Sequence, residues 1–232
     1  MALSITSSPV TIHCQGILFD MDGILISSLG SVERSWTKWA GMRGVDPEYA
    51  IARIHGRRAI DSLRAIRPDL DGEAELRILE QFEVDDTEGL EVLKGVPELL
   101  QALPEDRWTV VTSATERLAR VRLAAGGLPV PERFVYGEMV AEGKPHPAPY
   151  LAGARLLGFK PGECVAFEDS ASGIESAHAA GCITIATAYM HAAEDLQLAD
   201  FLVRDLCAIS AFTALDEIVL QLQPLPAAEP GA

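Results

Sequence analysis

Basic charge is scarce in this 232-residue chain: 19 Lys and Arg face 34 Asp and Glu, for a formal net charge of −15. That balance argues against a nucleic-acid backbone or an anionic membrane surface as the main partner, though a local site can still oppose the global field and take a small anion. Cysteine is sparse too. Cys14, Cys164, Cys182 and Cys207 lie far apart and form no CxxC pair, so neither a zinc site nor a disulfide framework is indicated, and reduced, core-filling thiols of a cytoplasmic protein are expected. No apolar run approaches the roughly 20 residues that span a bilayer. The opening "MALSITSSPV" lacks the basic and apolar regions of a secretory signal. There is no internal repeat. Oligomeric state is not encoded in any pattern here, and a monomer is the default expectation.

The chain does have a core's worth of apolar residues, 48% of the total. They fall into short unbroken runs separated by longer helical patterns. Strands are expected at 16–20 (GILFD), 108–112 (WTVVT), 134–136 (FVY), 164–168 (CVAFE) and 182–187 (CITIAT), with a weaker one at 201–205 (FLVRD). Unbroken runs mark strands covered on both faces, as in a parallel sheet. Between them, Pro97 suits the first turn of a helix carrying Leu99, Leu100 and Leu103 on one face, and a second helix over 171–180 is closed by Gly181. This is the βαβ rhythm of a doubly wound α/β fold.

One stretch interrupts the rhythm. About 65 residues separate the first strand region from Pro97, too many for a structureless loop in a compact domain. Apolar residues at helical spacing (Trp36, Trp39, Ala40; Ile60, Leu63, Ile66; Leu76, Leu79, Phe82) predict a helical insert over 28–91. The expected organisation is a discontinuous core, 1–27 and 92–222, the insert at 28–91, and a frayed Pro/Ala-rich tail at 223–232.

Ligands of open α/β sheets bind beyond the carboxyl ends of the strands. The residues expected there carry chemistry: Asp20 and Asp22, Thr112 and Ser113, Glu168 and Asp169, and Lys144 in "EGKPHPAPY". Four carboxylates together require a cation. Oxygen donors of this kind suit Mg²⁺, which keeps some waters and shares a substrate phosphate. Beside it one carboxylate can attack phosphorus while another serves as acid and base, with Lys144 and the Ser113 hydroxyl holding the phosphoryl oxygens.

Taken in order, "DMDG", "VVTSAT", "GKPHPAPY" and "FEDSASGIESAHAAGC" resemble the four motifs of the haloacid dehalogenase superfamily over about residues 14–205. The resemblance implies a Rossmann-like core with a parallel sheet and an inserted α-helical cap of the C1 type. "HGRRAIDSLRAIRPDL" is similar to the subgroup of phosphatases acting on small sugar or polyol phosphates, including glycerol-phosphate and 2-deoxyglucose-6-phosphate phosphatases. Carried over by position, it implies Asp20 as nucleophile and Mg²⁺ ligand, and Asp22 as general acid/base that lends its backbone carbonyl to the metal. Asp169 would be a further ligand, with Glu168 holding metal-bound water. Thr112, Ser113, the Ala114 N–H and Lys144 would bind phosphate. In the cap, His55 and Arg58 are candidates to read the rest of a small phosphorylated metabolite. Ile24 and Ser27 depart from the superfamily's usual Thr or Val and Asp. A β-phosphoglucomutase-like mutase is the alternative. Its pattern calls for a histidine at Val32 and an arginine at Ala59, and both are missing, which favours water as the acceptor.

Overall fold

The computed structural model describes residues 8–54, 56–189 and 193–225. Its centre is a five-stranded parallel sheet in the order β5-β2-β6-β7-β8, with β2 Gly16–Phe19, β5 Trp108–Val110, β6 Cys164–Glu168, β7 Ile183–Thr187 and β8 Phe201–Val203. Side chains alternate across it, as the two-residue period of a strand requires. Ile17, Phe19, Val165 and Phe167 enter one apolar cluster, whereas Leu18, Ala166 and Cys164 enter another. The second face is covered by α7 Ala148–Leu157 and α8 Ala171–Ala180, through Tyr150, Ala154 and Ala177.

The first face is covered by α5 Val96–Ala102 and α6 Glu116–Ala125, and also by a three-stranded antiparallel sheet that sequence patterning misses. This sheet has the order β1-β10-β9, with β1 Val10–Cys14, β9 Ile209–Ala214 and β10 Glu217–Leu222. Ile12, Ile218, Leu220 and Leu222 from it pack into the core. The β9–β10 hairpin turns through Leu215 and Asp216, both at positive φ (50° and 64°). A two-residue turn of that kind is ordinarily announced by Asn-Gly or Asp-Gly, and a fully exposed Leu215 gives no such signal.

One other expectation is corrected. Residues 134–136 do not form a strand: Val135 makes a single bridge to Val111 before Tyr136 leads into a 3₁₀ turn at Gly137–Met139. The tail is pinned at its start, where the Gln223 N–H donates to Ala208 O and the Leu225 N–H to Leu202 O; residues 226–232 lie outside the described ones.

The chain leaves the core through β3 Ile26–Ser27 and returns through β4 Glu91–Val92, which pair antiparallel. Between them come α1 Leu29–Arg43, α2 Pro47–Ile51, α3 Ala59–Ile66 and α4 Gly72–Asp85. The apolar residues that predict helices do bury one another: Trp36, Trp39, Ala40, Leu63 and Leu79 form a separate cluster with Ala50 and Ile54. The Trp39 indole donates to Glu75 Oε2 (2.8 Å), a buried carboxylate that also takes the Arg43 fork. Among the described residues no helix is long and apolar enough to cross a membrane.

Candidate active site

Because β2, β5 and β6 run parallel, their carboxyl ends share one edge, and the chemistry-bearing residues emerge there. Asp20 follows β2, its N–H donating to Phe167 O (2.9 Å). The next residues wind into a tight turn that buries Met21, Ile24 and Leu25. Gly23 sits in this turn at φ 88°, and a Cβ there would overlap the Asp169 carboxylate. Glycine is therefore required on two counts.

Asp20, Glu168 and Asp169 each offer an oxygen within 4.8 Å of the others, and all three are buried. Lys144 is driven into this cluster. Its Nζ donates to Asp20 Oδ1 (2.6 Å) and Glu168 Oε1 (2.5 Å). Burial alone would favour a neutral amine, but Asp20 and Glu168 outweigh it and hold the ammonium above its usual range. Burial pushes Asp20 up to about 7 despite Lys144, with Glu168 and Asp22 adding to the rise. Burial, then Asp20 and Glu168, raise Asp169 well above the carboxylate range. One ammonium does not compensate three buried carboxyl groups, which is why Asp20 and Asp169 resist ionisation without a further cation, and the donors are all hard oxygens. That set fits a divalent cation such as Mg²⁺.

Glu168 is fully buried and its carboxylate is already occupied. Oε1 accepts from Lys144 and from the Tyr150 hydroxyl (2.6 Å); Oε2 accepts from the Asp169 and Ser170 N–H groups and the Ser170 hydroxyl. Ser170 in turn caps α8 by accepting from the Gly173 N–H. Glu168 thus anchors Lys144 and the start of α8.

Asp22 departs from the expected convergence of four carboxylates. Its side chain lies outside the cluster, accepting from Ser28 Oγ (2.6 Å) and from Nη1 of Arg122 at both oxygens (3.0 and 3.1 Å). Arg122, on α6, reaches Glu83 of α4 through Nη2 (3.2 Å). Arg122 Nε has no hydrogen-bond partner among the described residues. Burial opposes its charge, but Asp22 and Glu83 together preserve it.

The phosphate-site candidates occupy the loop after β5. Thr112 Oγ1 accepts from the Ala114 N–H (3.1 Å), so that amide is engaged within its own loop. Ser113 is half-buried and donates to Gly56 O (3.2 Å) across the gap to the inserted helices. Arg58 lines the same cavity, but its guanidinium is committed: Nε and Nη2 hold Asp61, and Nη1 and Nη2 hold the carbonyls of Gly137, Val140 and Ala141. It ties the insert to the core rather than offering free donors. Its neighbour Arg57 lines the cavity, is exposed, and has no side-chain hydrogen bond or ion pair among the described residues. His55 lies outside the described residues.

The cavity over this edge is about 460 Å³, the size of a small-metabolite pocket. Its floor is Asp20, Asp22, Ser113 and Asp169; its walls include Val32, Trp36, Ala59 and Leu76 of the insert.

Compared with known proteins, residues 14–181 match the family model of haloacid dehalogenase-like hydrolases. The chain belongs to this family. Hexitol phosphatase A of Escherichia coli (strain K12) is 47% identical to this hydrolase over 179 residues, covering 75% of the chain and 83% of the relative. Glycerol-1-phosphate phosphohydrolase 2 of Saccharomyces cerevisiae is 33% identical over 201 residues, covering 81% and 80%. Among solved structures, CbbY from Rhodobacter sphaeroides in complex with phosphate aligns with the hydrolase at a TM-score of 0.71 and 25% identity, over 83% of this chain and 95% of that one.

Sequence reasoning missed Arg122, Glu83 and Tyr150. A signal for the first two was present: both are charged residues on buried helix stripes. Leu118, Ala119, Arg122 and Leu123 are the buried face of α6, and Glu75, Leu79 and Glu83, spaced by four, are that of α4.

Proposed function

We propose that this chain is a Mg²⁺-dependent phosphatase of small sugar or polyol phosphates that works through an aspartyl phosphate on Asp20. The observation that carries it is the buried Lys144 ammonium, 2.6 Å from Asp20 Oδ1, in a compact acid cluster whose Asp20 and Asp169 line a metabolite-sized cavity. Hexitol phosphatase and glycerol-1-phosphate phosphohydrolase among the relatives support a sugar or polyol ester as substrate.

Asp20 and Asp169 would hold the metal by their carboxylates and Asp22 by its backbone carbonyl. When bound, Mg²⁺ supplies charge neutralisation for the phosphoryl oxygens. The chain's own groups do the rest. An Asp20 carboxylate oxygen bonds to phosphorus as the ester P–O bond breaks, and the departing oxygen takes a proton from Asp22. Water then gives a proton to Asp22 and attacks the phosphorus. The P–O bond to Asp20 breaks, leaving inorganic phosphate and the free carboxylate. Lys144 and Ser113 hold the phosphoryl oxygens as their charge redistributes. The rest of the substrate meets the insert, where Arg57 supports recognition of a polar end better than Arg58, whose donors are spent. Val32 and Ala59 line the cavity without a polar group, so the walls there supply no acid or base for transfer to a second sugar. We take the insert, 28–91, as a cap domain on a core of 1–27 and 92–222.

Phosphate release from a panel of polyol, sugar and nucleotide monophosphates tests this reading. Turnover is expected with polyol or sugar esters, abolished by EDTA and restored by Mg²⁺. Asp20→Asn removes a charge at nearly constant volume and is expected to lose at least about 1,000-fold in kcat with the fold intact. Wild-type turnover in that variant would show that Asp20 is not the nucleophile.

A further inference from the structure

We infer that Arg122 is the positioning residue for Asp22, and that Glu83 makes this positioning depend on the inserted helices being seated on the core. The inference rests on the proposed role of Asp22 as proton donor to the leaving oxygen.

Nothing in the acid cluster orients Asp22, because its carboxylate lies outside it. Three contacts do: Ser28 Oγ at 2.6 Å and Arg122 Nη1 at 3.0 and 3.1 Å. Arg122 comes from the core helix α6 and is 3% exposed. A guanidinium that deep needs charge compensation, and it receives one carboxylate from each side of the cavity: Asp22 from the core and Glu83 from α4 of the insert. The planar fork allows this, since Nη1 and Nη2 point to different partners while the group moves as one body. Arg122 is the side-chain hydrogen-bond partner of Glu83 among the described residues. When α4 is seated, the guanidinium is drawn between two anions and its position is fixed from both ends. When α4 lifts, Arg122 keeps Asp22 alone and loses the second restraint. The helix that carries Glu83 also carries Leu76 and Glu80 of the cavity wall. Lysine is expected to substitute only in part, because it keeps the charge but lacks the planar fork that aims two nitrogens at separate partners.

The test compares a poor leaving group with a good one. Glycerol 1-phosphate must expel an alkoxide, which needs the proton; p-nitrophenyl phosphate expels a phenolate, which does not. First-turnover alcohol release is measured for each ester in the wild type, Arg122→Met, Arg122→Lys and Glu83→Gln. In Arg122→Met the glycerol ester is expected to lose about 100-fold and the aryl ester about tenfold or less, with KM changed less than about threefold. Arg122→Lys is expected to recover part of the loss. Glu83→Gln leaves the Asp22 contacts in place, and is expected to move the alkyl-to-aryl ratio in the same direction by about threefold. Equal losses on both esters in Arg122→Met would make Arg122 merely structural. A wild-type ratio in Glu83→Gln would remove the dependence on α4, and this measurement stands even if Arg122→Met does not fold. A wild-type enzyme inert to both esters would overturn the underlying reading. An active wild type with unshifted variants would overturn this inference alone.

Discussion

Replacing Lys144 with methionine should expose how far the acid cluster depends on one cation. The side chain is 1% exposed and touches Asp20 and Glu168, with Asp169 beside them. Methionine keeps much of the stem's volume and removes the charge. Breaking a buried ion pair by removing one partner is destabilising by about 3–5 kcal/mol, because the carboxylates left behind are uncompensated. For a chain of this size that corresponds to a fall of roughly 6–20 °C in Tm at pH 8. The loss should shrink on acidification. Burial already holds Asp20 up at about 7 with Lys144 in place, and without it the protonated form is favoured further. Wild-type Asp20 gains its proton at about pH 7 as well, so the difference develops above that value: there the folded variant holds a proton that the folded wild type has released, its stability relative to the wild type rises as pH falls toward 7, and the gain is complete at pH 5. Urea unfolding at pH 8 and pH 5, followed by tryptophan fluorescence and by circular dichroism, measures both deficits. A deficit at pH 5 smaller by at least about 1 kcal/mol is expected. Added Mg²⁺ at pH 8 should shrink the pH 8 deficit as well, by restoring positive charge. An equal deficit at both pH values, or one below about 1 kcal/mol at pH 8, would refute the view that Lys144 is there to compensate buried acids.

Glu83 offers a second pH experiment. Burial pushes its carboxyl from 4.5 up to about 7 against the pull of Arg122, so its contribution to stability is full below about pH 4.5 and is lost as pH rises through about 7. The shift corresponds to at most about 3 kcal/mol. Glu83→Gln should abolish that slope, so wild-type Tm should fall more steeply than the variant's between pH 5 and pH 8; parallel curves would contradict the assignment. Gly23→Ala places a Cβ against the Asp169 carboxylate at a backbone φ of 88°. It should cost about 1–3 kcal/mol and weaken Mg²⁺ binding at least about tenfold, measured by calorimetry on the folded protein. Unchanged binding would place the metal away from Asp169.

The parallel sheet and the helices α1, α3, α4, α5 and α8 were legible because their signals are local. Strands buried on both faces read as apolar runs, and Trp36, Trp39, Leu63 and Leu79 fall at helical spacing over a stretch too long for a loop. The antiparallel sheet was not legible. Its strands are short, and the turn that joins two of them uses Leu215 and Asp216 at positive φ where sequence signals call for glycine. The residue types at the strand ends, Asp20, Asp22, Ser113, Lys144, Glu168 and Asp169, could be named from the chain alone, because a parallel sheet sends every strand end to one edge. What each side chain does there could not. Periodicity specifies which face a residue lies on, not which distant group it meets. Only packing decided that Asp22 turns from the acid cluster to Arg122, that Glu168 is consumed in anchoring Lys144, and that Arg58 fastens the insert while Arg57 has no side-chain partner among the described residues. Such pairings join residues far apart in sequence, 100 positions in the case of Asp22 and Arg122. They are set by the desolvation of charges that the fold has already buried, an energy that exists only once the tertiary structure does.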